Sequence, residues 1–190
     1  MSLRRADTLL FVLSTIYVLV ANSTALATPS TTAIGDLNGG HQGSLDMAIS
    51  ADGTTVVGQA SSTGFVSQAF AWRNGTITPL SDLAGGIAYS QALAVSGDGS
   101  VIVGSSVSSA GQEAFRWENG VMSAVGPMPD GQLSHQAEAV SSDGTVIAGP
   151  GRGVGGFDAW ISTGGPIVSL GPSTNSALGI SAGGTRVVGN

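Results

Sequence analysis

Four segments of this chain align residue for residue: SADGTTVVG (Ser50–Gly58), SGDGSVIVG (Ser96–Gly104), SSDGTVIAG (Ser141–Gly149) and SAGGTRVVG (Ser181–Gly189). Their leading serines step by 46, 45 and 40 residues. A second motif keeps the same beat, in QAFAWRNG (Gln68–Gly75), EAFRWENG (Glu113–Gly120) and DAWISTGG (Asp158–Gly165), stepping by 45 and 45. A period of roughly 40–50 residues means one supersecondary unit stacked several times, because a single unit cannot bury its apolar face alone.

The second unit is the cleanest to read. Ala92–Ser96 is a short strand, Gly97-Asp98-Gly99 a turn, and Val101–Val103 a continuous apolar strand ending at Gly104. A polar loop, Ser105–Gln112, leads to Glu113–Trp117, where Phe115 and Trp117 share one face at period two. Asn119-Gly120 is a two-residue hairpin turn, and Val121–Val125 is the fourth strand. Asn74-Gly75 and Gly164-Gly165 stand at the same turn in the flanking units. Phe70, Phe115 and Trp160 fall in register as a core slot. The neighbouring slot holds Trp72, Trp117 and then Ser162, so either that slot is less completely buried in the third unit or the third unit packs differently.

The architecture that follows is all-β, with about 45-residue units of four antiparallel strands arranged like the blades of a β-propeller. Ala33–Gly40 (AIGDLNGG) matches Pro79–Gly86 (PLSDLAGG), so the repeat opens on the last strand of a unit, runs three full units and closes on half of another. Two arrangements fit. Either there are four blades, the last incomplete and closed by Ser176–Gly189 pairing with Thr32–Leu37, or the chain is an open fragment of a larger propeller.

The repeat is preceded by a targeting pattern. Arg4 and Arg5 are followed by the apolar run Leu9–Val20 and by Ala25-Leu26-Ala27 as a small-x-small cleavage site. Residues 1–27 are expected to be a secretory signal peptide, leaving 28–190 as the β-repeat domain. Twelve apolar residues span only about 18 Å as a helix, short of a bilayer's hydrocarbon core. The mature chain is therefore not expected to insert into a membrane, and its place is extracellular or on the outer-membrane or cell surface. It keeps four arginines, no lysine and eleven acids. A chain without a basic stripe has no counterions to release from a polyanion, which excludes nucleic acid as a partner. With no cysteine there is neither disulfide nor thiolate metal site.

These motifs resemble the bacterial extracellular repeats named for a His-Ala-Phe motif. The resemblance is carried by the x-A-F-x-W-x-N-G segments at Ala69–Gly75 and Ala114–Gly120, by L-x-D-L-x-G-G at Leu80–Gly86, and by the S-x-D-G segments. Gln68 and Glu113 stand where that family has its histidine. The resemblance implies a secreted or cell-surface protein, autotransporter-like in some members, and brings no agreed activity.

No catalytic, cofactor-binding or metal site is expected. Asp52, Asp98 and Asp143 also look like the Asp-box hairpins of sialidase propellers, which are structural; each turn offers a single carboxylate, too few for calcium. Gly151–Gly156 spells GxGxxG, but the strand FDAW follows where a dinucleotide site needs a helix. His41 and His135 lie in exit loops between units and are expected to be solvated. Asp36 and Asp82 occupy equivalent exit-loop positions and are expected to cap their own loops.

The function expected is that of a β-repeat scaffold holding an unknown protein or glycan ligand through Gln59–Ser67, Ser105–Gln112 and Pro150–Gly156. A homodimer through the incomplete unit is expected as well. The alternatives are a propeller enzyme acting on extracellular glycans with Asp36 and Asp82, or a truncated piece of an autotransporter-like protein.

Overall fold

The structure, a computed structural model, describes residues 32–35, 37, 43–61, 67–132, 135–153, 156–171 and 176–190. The expected signal peptide, with Asp36 and His41, lies outside them.

Among the described residues there are strands and turns and no helix. The first sheet takes β1 (Ser44–Ile49), β2 (Thr55–Ser61), β3 (Ser67–Arg73) and β4 (Thr76–Pro79). The second takes β5 (Gly85–Val95), β6 (Val101–Ser108), β7 (Gly111–Glu118) and β8 (Val121–Ala124). The third takes β9 (Ala139–Val140), β10 (Ile147–Gly153), β11 (Gly156–Ser162) and β12 (Val168–Ser169). A two-stranded sheet of β13 (Ala177–Ile180) and β14 (Val187–Gly189) ends the repeat. Within each sheet the spatial order is the chain order, all antiparallel, as in the blades of a propeller.

Neighbouring sheets pack face to face. Val57, Ala69, Leu80 and Leu83 of the first unit form one core cluster with Ala92, Ile102 and Phe115 of the second. Val103, Ala114 and Met128 meet Ala137, Ile147 and Trp160 of the third. Ala148 and Ala159 meet Ala177 of the last. A sheet covered on both faces needs apolar residues at every position rather than alternate ones, and so Val101-Ile102-Val103 is buried throughout. The aromatic slot is filled by Phe70, Phe115 and Trp160, each fully buried.

Two expected loops are strand instead. Ser105–Ser108 continues β6, Gly111–Gln112 opens β7, and only Ser109-Ala110 turns between them. Ser105 and Ser106 are fully buried. Burial is tolerated because Ser106 Oγ accepts the Leu83 N–H at 3.0 Å and donates to the Tyr89 carbonyl at 3.0 Å. Pro150–Gly153 likewise belongs to β10, pairing Arg152 with Phe157 and Gly153 with Gly156. The tip of the first unit's loop, residues 62–66, lies outside the described residues.

The Asn-Gly turns form as their residues require, with φ of 50° and 83° at Asn74-Gly75 and 52° and 83° at Asn119-Gly120, the mirror-image turn that matches strand twist. The third unit departs from the expected two-residue turn. Trp160 pairs with Ser169 and Ile161 with Val168, so the connection runs over 163–167, and Ser162 Oγ donates to the Gly165 carbonyl at 2.8 Å. Ser162 is buried, at 3% exposure, whereas Trp72 and Trp117 are half-buried. Of the two readings of that slot the second holds, a third unit that packs differently: a small hydrogen-bonded residue lets the connection fold over it.

Among the described residues β13 and β14 form a sheet of their own, without the Thr32–Leu37 pairing that one of the two arrangements expects. Ile34 and Leu37 pack instead on Phe70, Trp72 and Ile77 of the first sheet. They hold the place that Leu80 and Leu83 hold against Phe115, Trp117 and Met122 one unit later.

Candidate functional site

The repeated Asp turns are built alike. Ser96 Oγ donates to Asp98 Oδ1 at 2.7 Å and accepts the Val101 N–H at 2.9 Å, while Asp98 Oδ1 accepts the Ser100 N–H at 3.0 Å. Ser50-Asp52-Thr54 and Ser141-Asp143-Thr145 repeat this arrangement. The donated hydrogen bonds hold all three carboxyls below their ordinary value, Asp98 at about 2 through the Ser100 N–H, then the Ser96 and Ser100 hydroxyls. Every lone pair so used points inward to the turn. The carboxylates are occupied as local caps.

The turns are also chained to one another. Ala51 N–H donates to the Gly97 carbonyl at 3.0 Å, Gly97 N–H to Ser142 at 2.9 Å, and Ser142 N–H to Ala182 at 2.9 Å. Arg73 and Arg116, from different register positions, each reach the next unit's turn, at the carbonyls of Gly99 and Gly144. Arg73 also lies over the Trp117 ring, 5.3 Å from its centroid.

A cleft of about 200 Å³ opens between the second and third sheets, lined by Gln112, His135, Gln136, Pro150, Gly151 and Phe157. His135 is buried at 3% exposure rather than solvated as expected. Its Nδ1 accepts the Ala114 N–H at 2.9 Å, which places the ring proton on Nε2. One unit earlier Ser90 Oγ does the same for Ala69 N–H at 3.0 Å, so the histidine occupies a structural slot of the repeat. The ring meets Trp160 edge-on, with centroids 5.6 Å apart. Burial holds its pKa below the ordinary value, against smaller opposing effects of the Gly126 backbone and the Glu113 charge. Nε2 is buried and has no hydrogen-bond partner among the described residues. Glu113 is itself buried and accepts a hydrogen bond from Ser108 Oγ.

At the mouth of the cleft Phe157 is 61% exposed, with the Arg152 guanidinium 6.0 Å from its ring centroid. The signal for this pair is the cross-strand register of Arg152 and Phe157, which a loop over 150–156 would not reveal. Asp82 Oδ1 is buried without a hydrogen-bond partner among the described residues, so Asp82 does not fully cap its loop as expected. Its expected counterpart Asp36 is outside those residues. Among the described residues no three His, Asp or Glu side chains converge to hold a metal ion, and no helix is long and apolar enough to cross a membrane.

No family model matches the chain, and no curated protein matches it in sequence. Solved structures do. A crystal structure of TolB from Acinetobacter baumannii is similar at a TM-score of 0.52 and 18% identity, covering 73% of this chain and 34% of that one. A putative TolB from Agrobacterium tumefaciens is similar at 0.51 and 16%, covering 69% and 50%. The chain thus spans a third to a half of the length of those proteins. At such identities the likeness shows the fold alone, an all-β, propeller-like repeat of antiparallel sheets.

Proposed function

We propose that this chain is an exported, non-enzymatic interaction module of the bacterial cell envelope that engages a protein partner at the cleft between its second and third sheets. The observation that carries this is the rim, where an exposed Phe157 backed by Arg152 stands on paired strands beside a rigid, buried floor. Aromatic and arginine anchors on a preorganised scaffold are what binding hot spots are made of. The volume of about 200 Å³ suits one inserted side chain and falls below the roughly 300 Å³ at which small-molecule sites begin. The net charge of −6 favours encounter with a basic partner. The likeness to two TolB chains supports a propeller-type scaffold for this role, and the His-Ala-Phe resemblance supports surface display. Glycan cleavage would need two carboxylates facing one another across a cleft, and none of the described residues lining this one carries a carboxylate.

The test is a photo-crosslinking residue placed at Phe157 and, as control, at the exposed Thr78 of β4, in living cells. A discrete protein adduct at position 157 and none at 78 is expected. Phe157→Ala should then weaken the purified partner's binding by about tenfold or more, the scale of a hot-spot aromatic. Equal adducts at both positions, or an affinity untouched by Phe157→Ala, would count against it.

A further inference from the structure

In the first two sheets the outer strand ends before its neighbour does, and the amide left without a strand partner is taken up by the next unit. The Leu80 N–H still donates to the Ala69 carbonyl at 2.7 Å, while the Ala69 N–H turns to Ser90 Oγ at 3.0 Å. One unit later the Val125 N–H donates to the Ala114 carbonyl at 2.9 Å, and the Ala114 N–H turns to His135 Nδ1 at 2.9 Å. Ala69 and Ala114 are both fully buried, so each amide depends on the acceptor it is given. The two acceptors differ in one property. A hydroxyl accepts at any ordinary pH, whereas Nδ1 accepts only while the imidazole is neutral.

His135 also pins the two walls of the cleft together. Its backbone bridges to Gly151 of β10 and its ring meets Trp160 of β11, both in the third sheet, while Nδ1 holds β7 of the second. A proton on Nδ1 sets two N–H donors against each other, in a residue that is 3% exposed. The charged groups around the ring do not relieve this. Glu113 on β7 acts on it through its charge, and Asp158 on β11 shares its face, because His135, Gly151 and Asp158 are cross-strand neighbours. Asp130 of the exit loop stands beside Asp158 at Gly153, Glu138 on the ring's own segment is engaged by Gln136, and Arg152 lies over Phe157 at the mouth. The carboxylates draw a proton toward the ring, yet the Ala114 N–H already occupies the place where Nδ1 would need an acceptor.

We infer that the cleft is gated by acid: protonation of His135 releases the Ala114 N–H, and the ring swings into the adjoining space of about 200 Å³ that receives the partner's side chain. Release of the partner rests on the function proposed above, whereas release of Ala114 does not. The sign follows from linkage. An opened, solvated ring has the ordinary value of 6.5 and burial holds the closed ring below it, so opening is favoured progressively as pH falls below 6.5.

Amide hydrogen exchange on the full chain, read as protection factors at Ala114 and Ala69 from pH 8 to 5, tests the gate with no partner present. Protection at Ala114 should fall about fivefold more than protection at Ala69. In His135→Ser the two should fall in parallel, and His135→Asn supplies a second neutral acceptor should that variant fail to fold. A parallel fall in the wild type would overturn the inference, since it reports only the stability of the whole fold. So would a divergence that persists in the variants, which would assign the titration to Glu113 or Asp158. Either failure leaves binding at Phe157 standing, and a missing adduct at position 157 leaves the gate standing without a ligand to release.

Discussion

The hydroxyl of Ser96 does two things at once in a fully buried place, donating to Asp98 and accepting from Val101 N–H. Removing it leaves a buried backbone N–H unmade, at about 1–3 kcal/mol. Ser96→Ala should therefore lower Tm by several degrees in a domain of this size. Ser181→Ala should cost less, since Ser181 lacks the aspartate and is only half-buried. Calorimetry on both variants checks the order. Titration separates two further residues. The Asp98 carboxyl, at about 2 in the fold against an ordinary 3.8, contributes stability that is full above pH 3.8 and lost as pH falls toward 2. His135 is held below 6.5 by burial, so the unfolded chain binds its proton first, and stability falls as pH drops below 6.5. In urea titrations from pH 8 to 5 the wild-type midpoint should decline. His135→Ser, which installs the residue found at the equivalent Ser90, should flatten that decline even though the lost ring lowers stability throughout.

At the scale of elements, the glycine that ends the second and third of the aligned segments has a reason that its spacing alone could not disclose. A Cβ at Gly104 would lie 1.9 Å from the Gln91 carbonyl oxygen, and one at Gly149 would lie 2.0 Å from that of Gln136. The inner strand crosses its neighbour there with no room for a side chain, and backbone cannot rotate away. Gly104→Ala should destabilise by about 3 kcal/mol, at the upper end for overpacking, read as a lower urea midpoint. Asn-Gly turns, aromatic slots and valine runs were legible because each is a local preference written in one or two residues. The ends of β6 and β10 were not. Ser105 and Ser106 look like loop residues until one sees the Gln91, Leu83 and Tyr89 groups that satisfy them, and Gly151 until one sees Met128 and Trp160 crowding it; all lie a strand or more away. The buried place of His135 was hidden for the same reason, since its acceptor role exists only through Ala114 of the preceding unit. The long connection after β11 was misjudged because Gly-Gly permits a tight turn without demanding one.

For the molecule as a whole, repetition along the chain becomes repetition in space: each sheet is buried by the next, and each turn hands a hydrogen bond onward. Such a stack has approximately nearest-neighbour energetics, so its terminal units are the least supported. Among the described residues the last sheet has two strands, and Ile49 of the first sheet and Val188 of the last are exposed. The period and the half unit at the end were readable from the motifs, and ring closure was not. Ile34 and Leu37 match Leu80 and Leu83 of the exit loop after β4, and they pack on the first sheet as those do on the second, because Phe70 and Trp72 offer them a ready apolar face. Residue-resolved hydrogen exchange tests this stacking most directly. The amides of Ala51, Gly97 and Ser142 should exchange slowly, each locked to its neighbour's carbonyl, and that of Ala182 should exchange as fast as an exposed turn. Equal protection at Ala182 would mean a closed ring, and fast exchange at all four would mean that the sheets do not stack.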